Sequence, residues 1–337
     1  MSEDEKKTSK KKKIFFMVLI FIFLFIIGMV CFYVINSLNK VKTNEISKTN
    51  EDLGIEESTI EELKEKQKHE ILNIAFFGLD QREPNEPSRS DATMILTIDQ
   101  DRNKIKMLSI MRDSYINIDG HGKDKLNHAY AFGGPSLAIK TLNKNYKLNI
   151  KDYASINFYN MEKVIDILGG LEIDVKRDEI SQINLYISEL NSYRKTKPTY
   201  VKNPGLQTLN GMQALSYSRI RNVGNGDFER TDRQRIVLAL LLEKIQSAGI
   251  TKYPSLVSEL LPLVETSLSK TEILKIGSEI LMSPNIVIEQ ERFPVDGYYK
   301  DGGEMINGVW YLPFDKEATT KQIHDYIFDD VIPTPLK

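Results

Sequence analysis

Apolar runs of strand length alternate with helical patterns from residue 71 onward. Residues 71–78 (ILNIAFFG), 92–98 and 104–110 are mostly apolar and bounded by polar clusters, which is typical of buried strands. Residues 153–158 and 171–175 predict two more strands, and residues 161–168 predict a helix between them. Strands that alternate with helices indicate an α/β domain.

The rest of this region shows further helical patterns and one polar interruption. A helix is predicted from Pro135 to about Lys147; the preceding Gly133 and Gly134 form either a tight turn or a close approach of the backbone to a ligand. Residues 177–205 are polar and predict a surface loop or a short helical excursion. The remaining predicted elements are helices 212–219, 229–247, 254–266, 270–281 and 316–328, a strand at 286–293 and a hairpin at 298–310.

The N-terminal part has the pattern of a membrane anchor. Residues 1–13 carry six lysines against three acids, and residues 14–35 then form a run of 22 positions without a charge. That length spans a bilayer once as a helix, whereas the apolar part of a cleaved signal peptide would be shorter. Because lysines mark the cytoplasmic side, we expect a cytoplasmic tail (1–13), a single-pass transmembrane signal anchor (14–35) and a remainder outside the cell.

The chain beyond the anchor is predicted to form three parts. Residues 36–70 contain nine acids against six lysines and predict a charged, partly helical linker. Residues 71–250 form the predicted catalytic domain. Residues 251–337 form a C-terminal extension that either completes this domain or is appended to it.

Arginine is concentrated in one short stretch. The 17 residues from 219 to 235 hold five of the chain's 12 arginines and no lysine. Arginine offers a planar fork that binds phosphate or carboxylate oxygens in pairs. A salt-bridged helix surface would also explain the stretch, with Asp227, Glu229 and Asp232 as partners. Asp227 is predicted to cap the following helix, whose N-terminus would favour an anion.

Polar residues also recur at the ends of the first three predicted strands. They are Asp80, Arg82, Arg89, Asp91 and Arg112. Ligand sites in α/β sheets gather at strand ends. If these residues meet the arginine stretch, the positive charge requires a multiply anionic ligand such as a pyrophosphate. Asp80 and Asp91 would repel this ligand unless a divalent cation such as Mg²⁺ lay between them and its phosphates. These residues predict phosphoryl transfer with arginines that stabilise the transferring group.

Several other classes of site are excluded or disfavoured. The sequence contains no Walker-type phosphate loop and no histidine-rich zinc pattern. The single cysteine, Cys31, lies in the apolar run, so an intrachain disulfide is impossible. Nucleic acid is not an expected partner, because the predicted topology separates the domain from the chromosome and residues 14–337 carry a net charge of −5 (−2 for the whole chain minus +3 for residues 1–13).

Taken in order, the motifs from about residue 73 to residue 248 resemble the LytR-CpsA-Psr (LCP) family of cell-wall glycopolymer ligases. The order and spacing of the motifs match together, which is more specific than any one of them. They are Gly78-Leu79-Asp80 with Arg82, Arg89-Ser90-Asp91, Ser109-Ile110-Met111-Arg112-Asp113, Lys125-Leu126-Asn127 through Gly133-Gly134, Leu209-Asn210-Gly211-Met212-Gln213-Ala214-Leu215, Ser218-Arg219-Ile220-Arg221, and Asp227-Phe228-Glu229-Arg230 with Arg233-Gln234.

The resemblance implies a mixed central β-sheet flanked by helices, with an apolar slot for a prenyl chain. It also implies an enzyme at the membrane of a Gram-positive envelope. This enzyme would transfer an anionic or capsular polymer from undecaprenyl pyrophosphate to a hydroxyl of N-acetylmuramic acid in peptidoglycan, and the product would be a phosphodiester. The implied catalytic residues are Arg82, Arg112, Arg219, Arg221 and Asp227; Arg89, Lys125, Arg230, Arg233 and Gln234 would bind the substrate, and Asp80 and Asp91 would hold Mg²⁺.

One position departs from the family pattern, and two other functions remain open. Met111 stands where the family usually has a proline, so Arg112 would be aimed less rigidly. The same residues would also suit a lipid pyrophosphate hydrolase with water as acceptor. A non-enzymatic module that binds a polyprenyl-linked saccharide is the third hypothesis.

Overall fold

A seven-stranded mixed sheet runs through the centre of the molecule. The computed structural model describes residues 36, 38–66, 70–81, 88–192, 197–249, 252–283 and 285–336. In spatial order the strands are β1 (Lys42–Thr43), β10 (Glu265–Thr266), β7 (Asp152–Asn157), β2 (Ile71–Leu79), β3 (Ser90–Asp99), β4 (Lys104–Ile110) and β11 (Val287–Phe293). Strands β2, β3 and β4 pair antiparallel, whereas β7 and β11 pair parallel with their neighbours β2 and β4.

Three two-stranded sheets accompany the central one. Their strands are β5 (Tyr115–Ile118) with β6 (Gly122–Lys125), β8 (Leu171–Val175) with β9 (Gly205–Leu209), and β12 (Glu304–Ile306) with β13 (Val309–Tyr311). The helices are α1 (Glu57–Lys66), α2 (Leu126–Tyr146), α3 (Phe158–Ile167), α4 (Glu179–Ser192), α5 (Gly211–Ser218), α6 (Asp227–Ser247), α7 (Tyr253–Leu260), α8 (Lys270–Met282) and α9 (Lys316–Phe328).

Helices cover both faces of the sheet, as the predicted mixed α/β fold requires. Alternate residues of β2 point to opposite faces. Ala75 and Phe77 join a core cluster with α2 and α9, whereas Phe76 packs against clusters that contain residues of α3, α5 and α6. Each face of the central strands is therefore buried, which explains their nearly continuous apolar sequence.

Antiparallel pairing brings the predicted polar strand ends to one edge of the sheet. Leu79 at the end of β2 is paired with Ser90 at the start of β3, and Thr93 of β3 is paired with Ile110 at the end of β4. Asp80 and Arg112 follow the ends of β2 and β4, and Asp91 lies at the start of β3. All three residues therefore lie at the same end of these neighbouring strands.

The folded domain extends further towards the N-terminus than the predicted boundary at residue 71. Within the predicted linker, Leu53 is fully buried and Leu63 is 2% exposed, and both belong to the main core cluster. Strand β1 adds an edge to the central sheet. The prediction of a charged linker failed because a few apolar residues, spaced for burial, are outnumbered by charges on the exposed side.

The C-terminal extension completes the domain instead of forming a separate appendage. Strand β11 pairs with β4 over seven residue pairs, from Val287 with Lys104 to Phe293 with Ile110. Helix α9 contributes Ile323, Tyr326 and Ile327 to the main core cluster. Its bounds, Lys316–Phe328, confirm the helix predicted there.

Two other segments differ from the sequence prediction. For the polar segment 177–205 the helical alternative is confirmed, but helix α4 is longer than predicted, at 14 residues, and Gly205 begins β9. Helix α2 begins at Leu126, nine residues before the predicted start, and is interrupted at Gly133 and Gly134, whose φ values are −147° and 63°. The glycine pair thus forms a break within a helix, because a φ of 63° is easily adopted only by glycine.

The predicted tail and transmembrane anchor, residues 1–35, lie outside the described residues. Among the helices that the structure describes, none combines the length and the apolar character needed to cross a membrane.

Candidate functional site

A polar cavity of about 180 Å³ opens at the edge where β2, β3 and β4 bring their polar ends together. Two aspartates and three arginines face it, so the lining carries one net positive charge. Its lining residues are Asp80, Asp91, Phe158, Tyr186, Arg219, Arg221, Arg230 and Gln234. The structure therefore brings the strand ends and the arginine stretch together.

Arg112 and two aspartates form the framework behind this cavity. Arg112 Nη1 donates to Asp91 Oδ1 at 2.7 Å, and its Nη2 lies 3.4 Å from Asp227 Oδ2. Arg221 lies near the same carboxylates, 3.6 Å from Asp91 and 3.5 Å from Asp227. Burial alone would lower the pKa of Arg112, but the charges of Asp91, Asp113 and Asp227 outweigh it and raise that pKa. Arg112 is thus held firmly even though Met111 precedes it.

Asp227 is the common carboxylate of three arginines. Arg230 Nη2 lies 3.1 Å from Asp227 Oδ1, in addition to the contacts with Arg112 and Arg221. Burial acts to raise the pKa of Asp227, but the positive charges of these arginines outweigh it and lower the pKa below its ordinary value of 3.8. Asp227 therefore stays ionised and orients arginines, and it is a weak base.

Arg230 has unused hydrogen-bonding capacity in a buried position. Arg230 is 2% exposed, and among the described residues neither its Nε nor its Nη1 has a hydrogen-bond partner. Burial, followed by repulsion from Arg112, lowers the pKa of Arg230 to about 10. The side chain remains charged at neutral pH, and its Nε and Nη1 can bind an anion in addition to Asp227.

Aromatic rings hold Arg219 in the cavity wall. Its guanidinium carbon lies 5.2 Å from the ring centroid of Phe158 and 5.1 Å from that of Tyr186. Its Nη2 lies 3.4 Å from Glu189 Oε1. Neither ring belongs to a motif of the sequence, although the spacing of Ile183, Ile187 and Leu190 indicates the helix that carries Tyr186.

Helix α6 starts two residues earlier than predicted, which changes the position of Asp227. Its N-cap is Gly226, with a φ of 62° that favours glycine, and Asp227 is the first helical residue. The prediction that Asp227 caps this helix was wrong, because its carboxylate faces the arginines instead. The acidic side chain still lies in the first turn, where the helix dipole favours it.

Arg233 does not line the cavity, although the sequence suggested that it binds substrate. Its Nε donates to Glu179 Oε1 at 2.9 Å, its Nη1 donates to the Ile220 carbonyl at 3.3 Å, and its Nη2 donates to Glu229 Oε2 at 3.0 Å. The side chains of Arg233 and Glu179 are 4% and 2% exposed. This arginine ties α6 to α4 and to the turn after α5.

The other predicted site residues lie around the cavity or beyond the described ranges. Lys125 is separated from the cavity lining by two residues, because its Nζ donates to Asp113 at 2.6 Å, Asp113 contacts Arg112, and Arg112 contacts the lining residue Asp91. Arg89 has an exposed side chain, and its carbonyl accepts from the backbone N–H of Asp80 at 3.3 Å. Arg82 lies outside the described residues. Gln234 is part of the lining, as predicted for a substrate contact.

An apolar slot adjoins the polar cavity. It has a volume of about 50 Å³ and lies between the sheet and helices α3, α5 and α6. Phe158 and Gln234 line both spaces. The remaining slot residues are Phe76, Gly78, Ala92, Met94, Ile156, Met161, Leu215, Ser218, Val237 and Leu238. The apolar slot therefore meets the polar cavity at these two shared residues.

Asp80 and Asp91 fit part of a magnesium site. Both carboxylates line the same cavity, and carboxylate oxygens are suitable ligands for Mg²⁺. No group of three or more acidic, histidine or cysteine side chains suited to a metal occurs in the part of the chain that the structure describes. The remaining ligands would therefore be phosphate oxygens and water.

Comparisons with known proteins identify the family. A family model described as the LytR_cpsA_psr family matches residues 32–325. Polyisoprenyl-teichoic acid–peptidoglycan teichoic acid transferase TagU of Oceanobacillus iheyensis is 32% identical over 250 residues, which cover 72% of this chain and 71% of the relative. Regulatory protein MsrR of Staphylococcus aureus is 31% identical over 262 residues, 77% of this chain and 75% of the relative.

A solved structure of a similar protein contains a ligand of the expected kind. It is described as the LytR-CPS2A-psr family protein YwtF (TagT) with bound octaprenyl pyrophosphate lipid. This chain superposes on it with a TM-score of 0.56 and 27% identity, covering 79% of this chain and 91% of the other.

Proposed function

Because the chain belongs to the LytR-CpsA-Psr family, we propose that it is a membrane-anchored phosphotransferase of cell-wall assembly. It moves an anionic or capsular glycopolymer from a polyprenyl pyrophosphate carrier, undecaprenyl pyrophosphate, to a hydroxyl of N-acetylmuramic acid in peptidoglycan. The names of the related transferases and the lipid in the related structure support this assignment.

The observation that carries the proposal is the buried, under-bonded Arg230 beside an apolar slot. Its Nε and Nη1 have no hydrogen-bond partner among the described residues, so they are available to phosphate oxygens. Arg219 and Arg221 face the same space. A pyrophosphate satisfies these donors, and the slot entrance between Phe158 and Gln234 accepts the first units of the prenyl chain.

The proposed reaction is an in-line displacement at the phosphorus that bears the saccharide. The acceptor oxygen forms a bond to this phosphorus while the bond to the bridging oxygen breaks. Polyprenyl phosphate leaves with the electron pair and takes up the hydroxyl proton on a phosphate oxygen. The arginines stabilise the charge on the transferring group, and Asp227 keeps Arg112, Arg221 and Arg230 oriented.

We assign a bound Mg²⁺ to Asp80 and Asp91, which would hold it beside the pyrophosphate. The ion would neutralise phosphate charge next to two carboxylates that otherwise repel the donor. We assign residues 14–35 as the membrane anchor, with the domain outside the cell. An anchor of this kind keeps the domain at the membrane that contains the lipid carrier.

A transfer assay separates the three hypotheses. The full chain in detergent micelles would receive a synthetic prenyl-pyrophosphoryl saccharide, a peptidoglycan oligomer and Mg²⁺, followed by mass spectrometry. We expect saccharide joined to glycan through phosphate, and loss of this product in Arg219→Ala and Asp91→Ala. Free saccharide phosphate without linkage would instead indicate a hydrolase, and retained lipid without turnover would indicate a binding module.

A further inference from the structure

Aromatic side chains that the proposed donor site does not use form a surface next to Asp113, the residue that follows Arg112. Tyr115, Trp310 and Tyr311, here called the aromatic surface, are all partly exposed. The rings of Tyr115 and Tyr311 lie 4.7 Å apart between centroids. Lys125 Nζ lies 5.7 Å from the Trp310 centroid and 5.9 Å from the Tyr311 centroid. Rings of this kind, with charged groups at their edges, suit the apolar faces and hydroxyl edges of sugars.

The C-terminal segment brings the aromatic surface to the site. The backbone N–H of Tyr115 donates to the Leu312 carbonyl at 3.0 Å, and the N–H of Leu312 donates to the Asp113 carbonyl at 2.9 Å. Strand β13, which contains Trp310 and Tyr311, is therefore fixed directly beside the residue that follows Arg112.

A short chain of contacts joins this surface to the cavity. Lys125 Nζ lies 2.6 Å from Asp113, Asp113 lies 3.2 Å from Arg112, and Arg112 lies 2.7 Å from the cavity residue Asp91. The apolar slot joins the same cavity through Phe158 and Gln234. The slot therefore meets the cavity at Phe158 and Gln234, whereas the aromatic surface is connected to it through Asp113 and Arg112, at Asp91.

The direction of the proposed reaction assigns an occupant to the aromatic surface. In an in-line displacement the attacking hydroxyl approaches opposite the leaving group. The leaving group is the lipid phosphate, whose chain lies in the slot, so the acceptor must approach from a part of the cavity that the slot does not adjoin. The contact path from the aromatic surface ends at Asp91, which lines the cavity but not the slot.

We propose that Tyr115, Trp310 and Tyr311 bind the acceptor glycan strand of peptidoglycan, with Lys125 and Asp124 contacting its polar groups. Asp124 is near enough for this role, because Tyr311 Oη donates to Asp124 Oδ1 at 3.2 Å. The inference rests on the proposed function, in which peptidoglycan is the acceptor. It gives residues 304–311 the role of recognising that acceptor.

Trp310 is the only tryptophan of the chain, so its fluorescence reports this surface directly. The full chain in detergent micelles would be titrated with an uncross-linked glycan oligosaccharide of alternating N-acetylglucosamine and N-acetylmuramic acid, without donor lipid. We expect a saturable change in the emission of Trp310, and no such change with maltoheptaose. Unchanged emission over millimolar concentrations of the glycan would overturn the proposal.

Variants separate this subsite from the proposed function. Tyr311→Ala should raise the glycan concentration at half-saturation at least tenfold, whereas Tyr311→Phe, which keeps the ring, should leave it nearly unchanged. Tyr200→Ala is the matched control, because Tyr200 is an exposed tyrosine (43%) outside the cavity lining. An equal loss in Tyr200→Ala, or no loss in Tyr311→Ala, would contradict the subsite.

Arg219→Ala distinguishes failure of the subsite from failure of the proposed function. It should abolish transfer but leave the fluorescence titration intact, because Arg219 contacts Phe158 and Tyr186 on the side of the slot. A saturable Trp310 response without any transfer in the unmodified chain would refute the transferase and retain the glycan site. Transfer with an acceptor KM that Tyr311→Ala does not change would refute the glycan site alone.

Discussion

Two arginines three residues apart on helix α6 have opposite roles. Arg233 is fully engaged by Glu179, Glu229 and the Ile220 carbonyl. Arg230 is equally buried but has two donors that no described residue uses. A cation with satisfied donors holds elements together, whereas one with unused donors is ready to bind an anion.

Replacing each of these arginines by methionine should separate stability from ligand binding. Arg233→Met leaves the Glu179 carboxylate buried without its partner, so the free energy of unfolding should fall by about 3–5 kcal/mol. Arg230→Met should change stability little, because it removes a desolvated charge, but it should weaken prenyl pyrophosphate binding roughly ten- to hundredfold. Denaturant unfolding and calorimetric titration measure the two effects; reversed effects would contradict these roles.

The carboxylate of Asp227 should make stability depend on pH in the acid range. Its pKa in the folded protein lies below the ordinary 3.8, so the folded state binds fewer protons than the unfolded chain near that pH. The contribution of the Asp227 carboxylate to the free energy of unfolding is therefore complete above the ordinary pKa. It is lost as the pH falls through the pKa that Asp227 has in the folded protein. Thermal midpoints between about pH 5 and pH 3 should fall less steeply in Asp227→Asn than in the unmodified protein. Parallel curves would contradict this assignment.

At the scale of elements, the sequence predicted the position of helix α5 better than the side chains that helix α4 contributes to the site. The predicted start of α5 at residue 212 is within one residue of Gly211, where Asn210 and Gln213 form a reciprocal capping box. The same pattern does not reveal that α4 directs Tyr186 towards Arg219, since polar residues and two prolines dominate segment 177–205. Local signals predict where an element begins, but the side chains it brings to a distant site depend on packing.

Tyr186 should act through Arg219. Removing the ring in Tyr186→Ala takes away one side of the aromatic pair that holds the guanidinium, a contact of roughly 1–2 kcal/mol. We expect donor affinity to fall roughly tenfold. Tyr186→Phe, which keeps the ring against Arg219 and against the neighbouring core cluster, should restore it. If Tyr186→Phe were as impaired as Tyr186→Ala, the hydroxyl would matter and the stacking explanation would fail.

At the scale of the whole described chain, the segments before β2 and after β11 both contribute to the main core cluster. The predicted boundary at residue 71 would remove Leu53, Ile55 and Leu63, all of which are buried in the main core cluster. Burial of each such side chain contributes about 1.5–3 kcal/mol, so the segment contributes roughly 5–9 kcal/mol. That sum is comparable with the entire stability of a typical domain, about 5–15 kcal/mol.

Two soluble fragments test this dependence. A fragment that begins at residue 36 should unfold cooperatively, whereas one that begins at residue 70 should be largely unfolded or aggregate because it exposes the core beneath Leu53 and Leu63. Circular dichroism during heating distinguishes them. Equal midpoints in the two fragments would show that segment 36–69 is the dispensable linker that its charge suggested.

The site was more predictable than the domain bounds. Asp80, Asp91, Arg219, Arg221, Arg230 and Gln234 were all singled out by sequence, and all line one cavity. The antiparallel register of β2, β3 and β4 explains this success, because it brings their polar ends together. Arg233 could not be distinguished from Arg230 by sequence, since their roles depend on Glu179, a residue 54 positions away from Arg233.

The most direct test of the account is a crystal structure of this protein with a prenyl pyrophosphate. We predict that the two phosphates lie in the cavity, with oxygens within hydrogen-bond distance of Arg230 Nε and Nη1, and that the prenyl chain passes between Phe158 and Gln234 into a widened slot. A pyrophosphate bound elsewhere, or a chain that runs over the surface and leaves the slot closed, would contradict the account.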